Sequence, residues 1–268
     1  MNEPVPRDPP LAQPRSTGSA VFKVLGVRVN AVQIPSVIAQ IERWICERDV
    51  CHFIAVTGMH GVTEAQHDDS FKNILNSADL VVPDGMPLVW LGRWHGFQLR
   101  RRVYGPELMQ TFCCTTGSKY RHFFYGGMPD VPTCLAKTLE EKCGLTTVGH
   151  YSPPFRALSE DEDDKVVAMI NAANPDVLWI GLSTPKQERW MYEHKRKLQV
   201  PVVIGVGAAF DLNSGRARQA PRWMREHGLE WCFRLLQEPR RLWKRYLVYG
   251  SEFVCRVASE LLLRRRFD

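Results

Sequence analysis

Short runs of apolar residues alternate with helix-like patterns from about residue 21 to residue 215. Several of these runs are apolar throughout, as strands are when both faces of a parallel sheet are covered. Alternation of this kind is typical of an α/β domain with a mostly parallel sheet and helices on both of its faces. The strands are predicted at residues 21–27, 52–57, 80–83, 122–125, 146–151, 177–182 and 202–206.

The same pattern divides the chain into three parts. Residues 1–20 are rich in proline and lack both helical periodicity and the apolar centre of a signal peptide, so we expect a disordered leader. Residues 21–215 form the predicted core domain, and residues 216–268 form what we call the appendage. The appendage predicts amphipathic basic helices with breaks near Pro239 and Gly250. Helices of the core are predicted at residues 35–48, 69–78, 129–142, 160–173 and 185–198.

The appendage carries the whole basic excess of the chain. It holds thirteen Lys and Arg residues against six Asp and Glu residues, whereas residues 1–215 have a net charge of −1. A basic segment of this kind is typical of a surface that docks on a polyanion, either phospholipid or nucleic acid.

Two further features concern the surroundings of the chain. No segment reaches the roughly 18 consecutive apolar residues of a transmembrane helix, so we expect a protein that does not cross the bilayer. The eight cysteines form no C-x-x-C pair and lack the histidine spacing of a zinc site. We therefore expect reduced, structural thiols and a location in the cytoplasm.

A carboxylate directly follows one of the buried strands. Asp84 stands between Pro83 and Gly85, where the chain must turn sharply at the end of the sheet that binds ligands in folds of this type. An aspartate at this position can act as a general base in a transfer reaction. The alternative is that Asp84 only stabilises the turn.

Two other loops at strand ends carry candidate ligand groups. Gly126 and Gly127 follow a strand and precede a helix, which is how a backbone approaches a phosphate near a helix N-terminus. The two glycines are equally compatible with a tight turn alone. Asp211 lies in a loop of small residues after another strand, and a nucleotide or its diphosphate could lie against that loop.

A fourth loop combines hydroxyl, amide and cationic side chains. Thr184 and Pro185 can be explained as the N-cap and the first residue of a helix. That explanation does not account for Lys186 and Gln187, which follow directly. We therefore regard Lys186 and Gln187 as candidate substrate-binding residues.

Two cofactor motifs are present only in part. The Asp-x-Asp sequence of many metal-dependent sugar transferases occurs at Asp161 and Asp163, but Ser159 and Glu162 predict a capping box at the same place. A dinucleotide-binding G-x-G-x-x-G motif fails because Phe210 takes the place of its third glycine. We expect neither a metal site nor a nicotinamide dehydrogenase.

Several long motifs occur together in one order along the chain, over about residues 21–247. They are PDGMPLVW, RRRVYGPELM, FFYGG, IGLSTPKQERWM, GVGAAFDLNSG and QAPRWMREHGLEWCFRLLQEPRRLWKRYL. In these motifs the chain resembles the WecG/TagA/CpsF glycosyltransferases. The resemblance implies a Rossmann-like, mostly parallel sheet of the GT-E type. It also implies inverting, metal-independent transfer of a hexose-type sugar from a UDP-sugar to a polyprenyl-diphosphate-linked sugar in surface polysaccharide synthesis.

The resemblance also assigns roles to individual residues. Asp84 matches the proposed catalytic base, and Arg102 matches an arginine of the substrate pocket. Gln187 matches the glutamine of the P-K-Q-E motif, and Thr57 matches a pocket threonine after an early strand. The family often continues that strand as T-x-N, whereas here His60 follows two residues after Gly58. His60 could replace the hydrogen bonds of the missing asparagine, or it could be structural.

In relatives the appendage covers the active site, contributes arginines to the diphosphate and helps the enzyme to meet the membrane. The matching candidates here are Arg234, Arg241 and Arg245. Some of the basic residues could instead form a solvated face. The implied partners are a nucleotide-sugar donor, a lipid-linked sugar acceptor and an anionic membrane surface, with no cofactor.

A function of another class stays open at this point. The basic appendage could serve a non-catalytic module that binds nucleotides or nucleic acid. Aromatic residues of the appendage recur at helical spacing, as core or membrane-facing residues do, which favours a membrane over nucleic acid. The sequence does not identify the sugar, the lipid-linked acceptor or the polysaccharide, and it leaves a homo-oligomer open.

Overall fold

The computed structural model describes residues 19–264. The predicted leader up to residue 18 and the basic residues Arg265 and Arg266 therefore lie outside the described residues. The described chain contains eight strands. They are β1 (Val21–Val24), β2 (Val27–Asn30), β3 (His52–Thr57), β4 (Leu80–Pro83), β5 (Arg121–Gly126), β6 (Thr146–Tyr151), β7 (Val177–Gly181) and β8 (Val202–Gly205).

Helices lie between the strands and make up most of the appendage. In the core they are α1 (Ile34–Glu47), α2 (Met59–His67), α3 (Asp69–Ser77), α4 (Met86–Trp94), α5 (Gly105–Thr116), α6 (Val131–Cys143), α7 (Glu160–Ala173), α8 (Lys186–His194) and α9 (Ala209–Asn213). In the appendage they are α10 (Arg222–Glu226), α11 (Glu230–Gln237), α12 (Pro239–Trp243) and α13 (Tyr249–Arg264). A π-helical turn, Lys244–Val248, joins α12 to α13 without a break.

Six strands form one fully parallel sheet in the order β4-β3-β8-β7-β5-β6. Successive side chains of a strand point to opposite faces. In β3, Phe53 and Ala55 join the apolar cluster on one face, and Ile54 and Val56 join the cluster on the other face. Both faces are thus covered, which explains why β4, β7 and β8 are apolar throughout. The predicted α/β class with a mostly parallel sheet is confirmed.

The first predicted strand differs from the structure. Residues 21–30 form a separate antiparallel hairpin of β1 and β2, not a strand of the parallel sheet. Leu25 and Gly26, at the turn, have φ values of 50° and 80°. Two consecutive residues with positive φ match the turn that joins two strands tightly, and Gly26 adopts this conformation easily. The prediction of a single strand from residue 21 to residue 27 was therefore wrong.

The appendage packs on the core. Helix α13 lies against α2, where Phe253 is buried and His67 pairs with Glu252 at 2.9 Å. The predicted break at Pro239 is present, because α12 begins there. The predicted break at Gly250 is wrong: Gly250 lies within α13, and the irregularity is the π-helical turn before it.

The expectation that the cysteines are reduced thiols is wrong for one pair. Cys114 and Cys143 form a disulfide between the ends of α5 and α6, with their Cα atoms 4.4 Å apart. The spacing of 29 residues gave no signal, because the fold brings the two helix ends together. Over residues 19–264, no helix has both the length and the apolar character needed to cross a bilayer.

Close packing of β5 against β7 leads to a stability prediction for Gly126. A Cβ atom at Gly126 would lie 2.7 Å from the carbonyl carbon of Gly181, and the φ of Gly126 is 123°. We expect Gly126→Ala to lower the free energy of unfolding by about 3 kcal/mol or more, because overpacking adds to backbone strain. Gly144→Ala is the control, since Gly144 has a φ of 65° but no atom within 4 Å of the added Cβ.

The Gly144→Ala variant should lose only about 1 to 2 kcal/mol, the cost of a left-handed residue. Urea unfolding followed by circular dichroism measures both values. Equal losses in the two variants would contradict the packing argument.

Candidate active site

A pocket opens at the carboxyl ends of β3 and β4, the two strands at one edge of the sheet. Gly58 and His60 enter it from the end of β3, Asp84 enters from the end of β4, and Thr184 enters from the loop after β7. Its volume is about 130 Å³. The appendage supplies the remaining wall. The pocket therefore lies where parallel α/β sheets bind ligands.

Asp84 is placed by the end of the sheet. Its backbone N–H donates to the carbonyl of Thr57 at 2.7 Å, which continues the pairing of β4 with β3 beyond the last strand residue. The side-chain Oδ1 is buried and has no hydrogen-bond partner within residues 19–264. Burial raises the pKa of Asp84 to about 6, with Arg102 opposing the rise and Glu230 adding to it. A carboxylate with this proton affinity at a pocket is suited to accept a proton near neutral pH.

Arg102 and Tyr104 reach the pocket from the segment before α5. The N–H of Val103 donates to the carbonyl of Pro83 at 2.8 Å, so this segment runs beside the end of β4. The side chains on either side of the buried Val103 both point into the pocket. The guanidinium carbon of Arg102 lies 4.0 Å from the centre of the Tyr104 ring, a cation–π arrangement.

Glu230 pairs with both of these side chains. It is buried at the start of α11, its Oε2 accepts from Arg102, and its Oε1 accepts from the hydroxyl of Tyr104. Burial opposes the positive charge of Arg102, but Asp84 and Glu230 outweigh it and raise the pKa of Arg102. Burial also raises the pKa of Tyr104, and Glu230 adds to this rise.

The sequence analysis missed Glu230. The available signal was an acidic residue within a strongly basic segment, which is unexpected if that segment only faces a polyanion. Nothing in the spacing showed that this residue would be the one to meet Arg102, because 128 residues separate them.

The three candidate arginines of the appendage have different positions. Arg234 on α11 and Arg245 on the π-helical turn both line the pocket. Burial lowers the pKa of Arg245, and the neighbouring Arg234 adds to this effect. Arg241 lies outside the pocket, where it is exposed and pairs with Glu238 at 2.5 Å. One turn of helix therefore separates an arginine at the site from one on the surface.

His60 lines the pocket from the first turn of α2. Burial lowers the pKa of His60 to about 4, and Arg245 adds to the effect, so the imidazole is neutral near pH 7. Its Nδ1 is buried and finds no partner among residues 19–264, while the ring lies 5.2 Å from the ring of Tyr249. Thr57 is fully buried below α2 and does not line the pocket, and its hydroxyl also lacks a partner in the described chain.

The other candidates lie outside this pocket, around the ends of the neighbouring strands. The N–H of Gly127 donates to the carbonyl of Gly181 at 3.0 Å, so this glycine pair serves the packing of β5 on β7. Asp211 lies on α9, where its carbonyl accepts from the N–H of Ala217 at 2.9 Å. A phosphate at the glycines and a nucleotide near Asp211 stay predictions.

The loop after β7 separates its two predicted binding residues. Lys186 is exposed, whereas Gln187 is buried and donates to Glu188 Oε1 at 3.0 Å. Thr184 is not the N-cap of α8. Its hydroxyl donates to the same Glu188 oxygen at 2.8 Å, and the cap position belongs to Pro185. Glu188 is fully buried, and burial raises the pKa of its carboxyl group.

The acidic motif at residues 161–163 is explained by its helix. Ser159 and Glu162 form the predicted capping box at the start of α7, and Asp163 pairs with His194. Within the described residues, the one compact group of three potential metal ligands is Glu47, Asp49 and His52. It lies at the start of β3, at the opposite end of the sheet from the pocket.

The fold and the pocket define an α/β protein with a buried carboxyl group and three arginines at the carboxyl ends of its strands. The model of the glycosyl transferase WecG/TagA/CpsF family matches residues 22–267, and the chain belongs to this family. It is therefore a glycosyltransferase. This decides between the two classes that the sequence left open, against a non-catalytic module.

Several curated proteins are similar to this chain over most of its length. A protein of Bacillus subtilis, strain 168, is 27% identical over 216 residues, which cover 80% of this chain and 82% of that protein. A protein of Staphylococcus aureus, strain MW2, is 24% identical over 230 residues, which cover 84% of this chain and 88% of that protein. Both are named N-acetylglucosaminyldiphosphoundecaprenol N-acetyl-beta-D-mannosaminyltransferase.

The raised pKa of Asp84 predicts a pH-dependent cost to stability. A carboxyl group with a pKa of about 6 in the folded state and 3.8 otherwise disfavours folding once it is ionised. Asp84→Asn removes this ionisation. The free energy of unfolding of the variant should therefore exceed that of the wild type by an amount that grows between pH 4 and pH 6, up to about 3 kcal/mol.

Urea unfolding of both proteins at several pH values measures this difference. Only the change of the difference with pH is used, since the constant part also contains the changed hydrogen bonding of the asparagine. A difference that is constant from pH 4 to pH 7 would show that Asp84 has an ordinary pKa.

Proposed function

We propose that this glycosyltransferase moves a hexose-type sugar, with inversion, from a UDP-sugar to a polyprenyl-diphosphate-linked sugar during synthesis of a cell-envelope polysaccharide. The observation that carries the proposal is Asp84, a buried carboxyl group whose Oδ1 has no hydrogen-bond partner in the described part of the chain and which faces a pocket lined by three arginines. An inverting transfer needs one base on the acceptor side and positive charge around the leaving diphosphate.

The names of the relatives support the acceptor class. The relatives from Bacillus subtilis and Staphylococcus aureus are named for an N-acetylglucosaminyl-diphospho-undecaprenol acceptor and an N-acetylmannosaminyl group. We therefore take an amino-sugar linked through diphosphate to a polyprenol as the first acceptor to test. UDP-glucose, UDP-N-acetylmannosamine and its uronic acid are the donors to compare, since they differ by a few polar groups that a pocket can discriminate.

The proposed step needs a single base. Asp84 accepts the proton of the acceptor hydroxyl as that oxygen attacks the anomeric carbon of the donor. The bond from the anomeric carbon to the diphosphate oxygen breaks on the opposite side, and UDP leaves with the electron pair. Asp84 then holds the proton, which it returns to solvent. A pKa of about 6 leaves Asp84 mostly ionised at pH 7 and still basic enough to accept a proton.

We propose that arginines from both the core and the appendage stabilise the negative charge on the leaving diphosphate. Arg102 from the core and Arg234 and Arg245 from the appendage all line the pocket. Guanidinium groups make paired hydrogen bonds to phosphate oxygens and stay charged at all relevant pH values. With three of them in place, we propose that transfer requires no divalent metal and persists in EDTA.

Because the proposed acceptor is a lipid, we propose that the reaction takes place at a membrane surface, on the cytoplasmic side. Exposed aromatic residues occur at the pocket on both parts of the chain: Trp231 of the appendage lines it, and Trp90 on α4 lies near Gly228, another lining residue. Tryptophan at a surface suits the interface of a bilayer, and the net positive charge of the appendage suits an anionic leaflet. We propose reversible peripheral association through this face.

The first test removes the base. In Asp84→Asn the side chain keeps its size but loses the oxygen that accepts the proton, so turnover should fall by about 10² to 10⁴. The affinity for UDP should change little. Release of UDP with a short-chain polyprenyl-diphosphate sugar measures turnover, and NMR of the product gives the anomeric configuration. Near wild-type turnover in the variant, or retention of configuration, would contradict the proposal.

The second test concerns the arginines. Arg245→Gln should lower kcat/KM by about 10 to 10³, because a charge-assisted hydrogen bond to the diphosphate is worth a few kcal/mol in a buried pocket. Arg241→Gln is the matched control. It removes the same charge from the same stretch of helix, but Arg241 lies outside the pocket.

The control should keep transfer within about twofold of the wild type, as expected for an exposed ion pair. The same assay in EDTA tests the proposal on metals. Equal loss in the two arginine variants would show that only the basic charge of the appendage matters, and activity that returns with added Mg²⁺ or Mn²⁺ would show that a metal is needed.

A further inference from the structure

Glu230 is a buried carboxylate from the appendage within the pocket of the core. One of its oxygens accepts from Arg102, and the other accepts from the hydroxyl of Tyr104. The exposed side-chain fractions are 14% for Arg102 and 5% for Glu230, so water screens this pair only weakly. The mechanism proposed above uses Arg102 but gives Glu230 no part.

The position of Arg102 depends on this carboxylate. Arg102 follows an exposed loop residue and has a long flexible side chain, whose freedom costs free energy to restrain. The Tyr104 ring supports one side of its guanidinium group, and Glu230 accepts from its end. Because Tyr104 also donates to Glu230, the three side chains form a closed set in which each restrains the other two.

We propose that Glu230 is a positioning residue for sugar transfer: its carboxylate, carried by the appendage, holds Arg102 in place beside Asp84. The inference rests on the proposed function. It gives the appendage a second contribution besides its arginines, since docking of α11 fixes an arginine that belongs to the core. Arg102 then has a defined orientation toward the diphosphate before substrate binds.

Glu230 also influences the base through its charge. Three cations of the pocket, Arg102, Arg234 and Arg245, favour the ionised form of Asp84, whereas Glu230 disfavours it. The pKa of His60 is lowered to about 4, so this side chain is mostly neutral near pH 6, where Asp84 titrates. Loss of the negative charge at Glu230 leaves the three cations without this opposition. The pKa of Asp84 should then fall, which makes it a weaker base.

These two roles predict a division between binding and turnover. In Glu230→Gln the pocket gains one unit of positive charge, so its affinity for the diphosphate of UDP should stay equal or increase. Turnover should fall about tenfold or more, because Arg102 loses its orientation and Asp84 loses basicity. A residue that only supports the fold would lower both properties or neither.

The test is the pH dependence of kcat/KM for the full chain between pH 4.5 and pH 8.5. In the wild type, activity should fall on the acid side with the pKa of Asp84. Glu230→Gln should move this acid limb down by about half a pH unit or more, as removal of a nearby like charge does. Tyr104→Phe should leave the limb in place, since Glu230 keeps its charge, while kcat falls modestly.

The variant Glu230→Asp distinguishes the effect of the negative charge from the effect of side-chain length. It keeps the charge, so its acid limb should match that of the wild type, but the shorter side chain holds Arg102 less well and kcat should fall. Calorimetric titration with UDP measures binding in all variants and confirms that each one is folded. An acid limb that Glu230→Gln leaves unmoved, or a Glu230→Asp variant with wild-type kcat, would overturn the inference.

Two other outcomes are distinguishable. Tighter UDP binding together with faster turnover in Glu230→Gln would show that Glu230 competes with the substrate, and would also overturn the inference. If the wild type has no acid limb that Asp84→Asn abolishes, the proposed function itself fails, and the inference fails with it. An Asp84-dependent limb that Glu230→Gln does not shift rejects the role of Glu230 alone.

Discussion

The ion pair between Arg102 and Glu230 connects the two parts of this molecule. Burial of two charges costs several kcal/mol per ion unless both find good partners. Here the cost is offset because Tyr104 donates to the second oxygen of Glu230 and also supports Arg102 with its ring. In the core alone Arg102 would lack Glu230, and in the appendage alone Glu230 would lack both Arg102 and Tyr104. The pocket is complete only when the appendage is docked, and docking satisfies an arginine of the core.

The same requirement explains the position of the base. The parallel sheet brings Asp84 to the end of β4 and holds its backbone through Thr57, but no described side chain pairs with its Oδ1. A carboxyl group left in this way disfavours the folded state when it is ionised. Three arginines and one carboxylate act on the charge of Asp84, but none of them forms a close ion pair with it. This arrangement suits proton transfer better than it suits stability of the fold. The ionised Asp84 therefore lowers the stability of the fold at the pocket, where a bound substrate could supply the missing hydrogen bond.

Sequence patterns were sufficient wherever the local signal was strong. The strands β3 and β4 and the helix α7 have the predicted bounds, because apolar runs and a capping box are local properties. The β1–β2 hairpin was missed since its turn carries Leu25, a residue that rarely has positive φ. Of the site, Asp84 and Arg102 came from motifs. Glu230 could not be predicted, because its role arises from contacts across 126 and 128 residues.

The π-helical turn, Lys244–Val248, has a consequence for helical register. The continuous helix that contains it directs Arg245 into the pocket and Phe253, eight residues later, into the core. In a regular α-helix, residues eight apart differ by about 80° around the axis. A π turn takes up one extra residue, which brings the two side chains close to the relation of residues seven apart, about 20°. A regular α-helix over the unchanged sequence would therefore turn one of the two side chains away from its target, whereas deletion of one residue from this turn would leave the two seven apart and keep their relation.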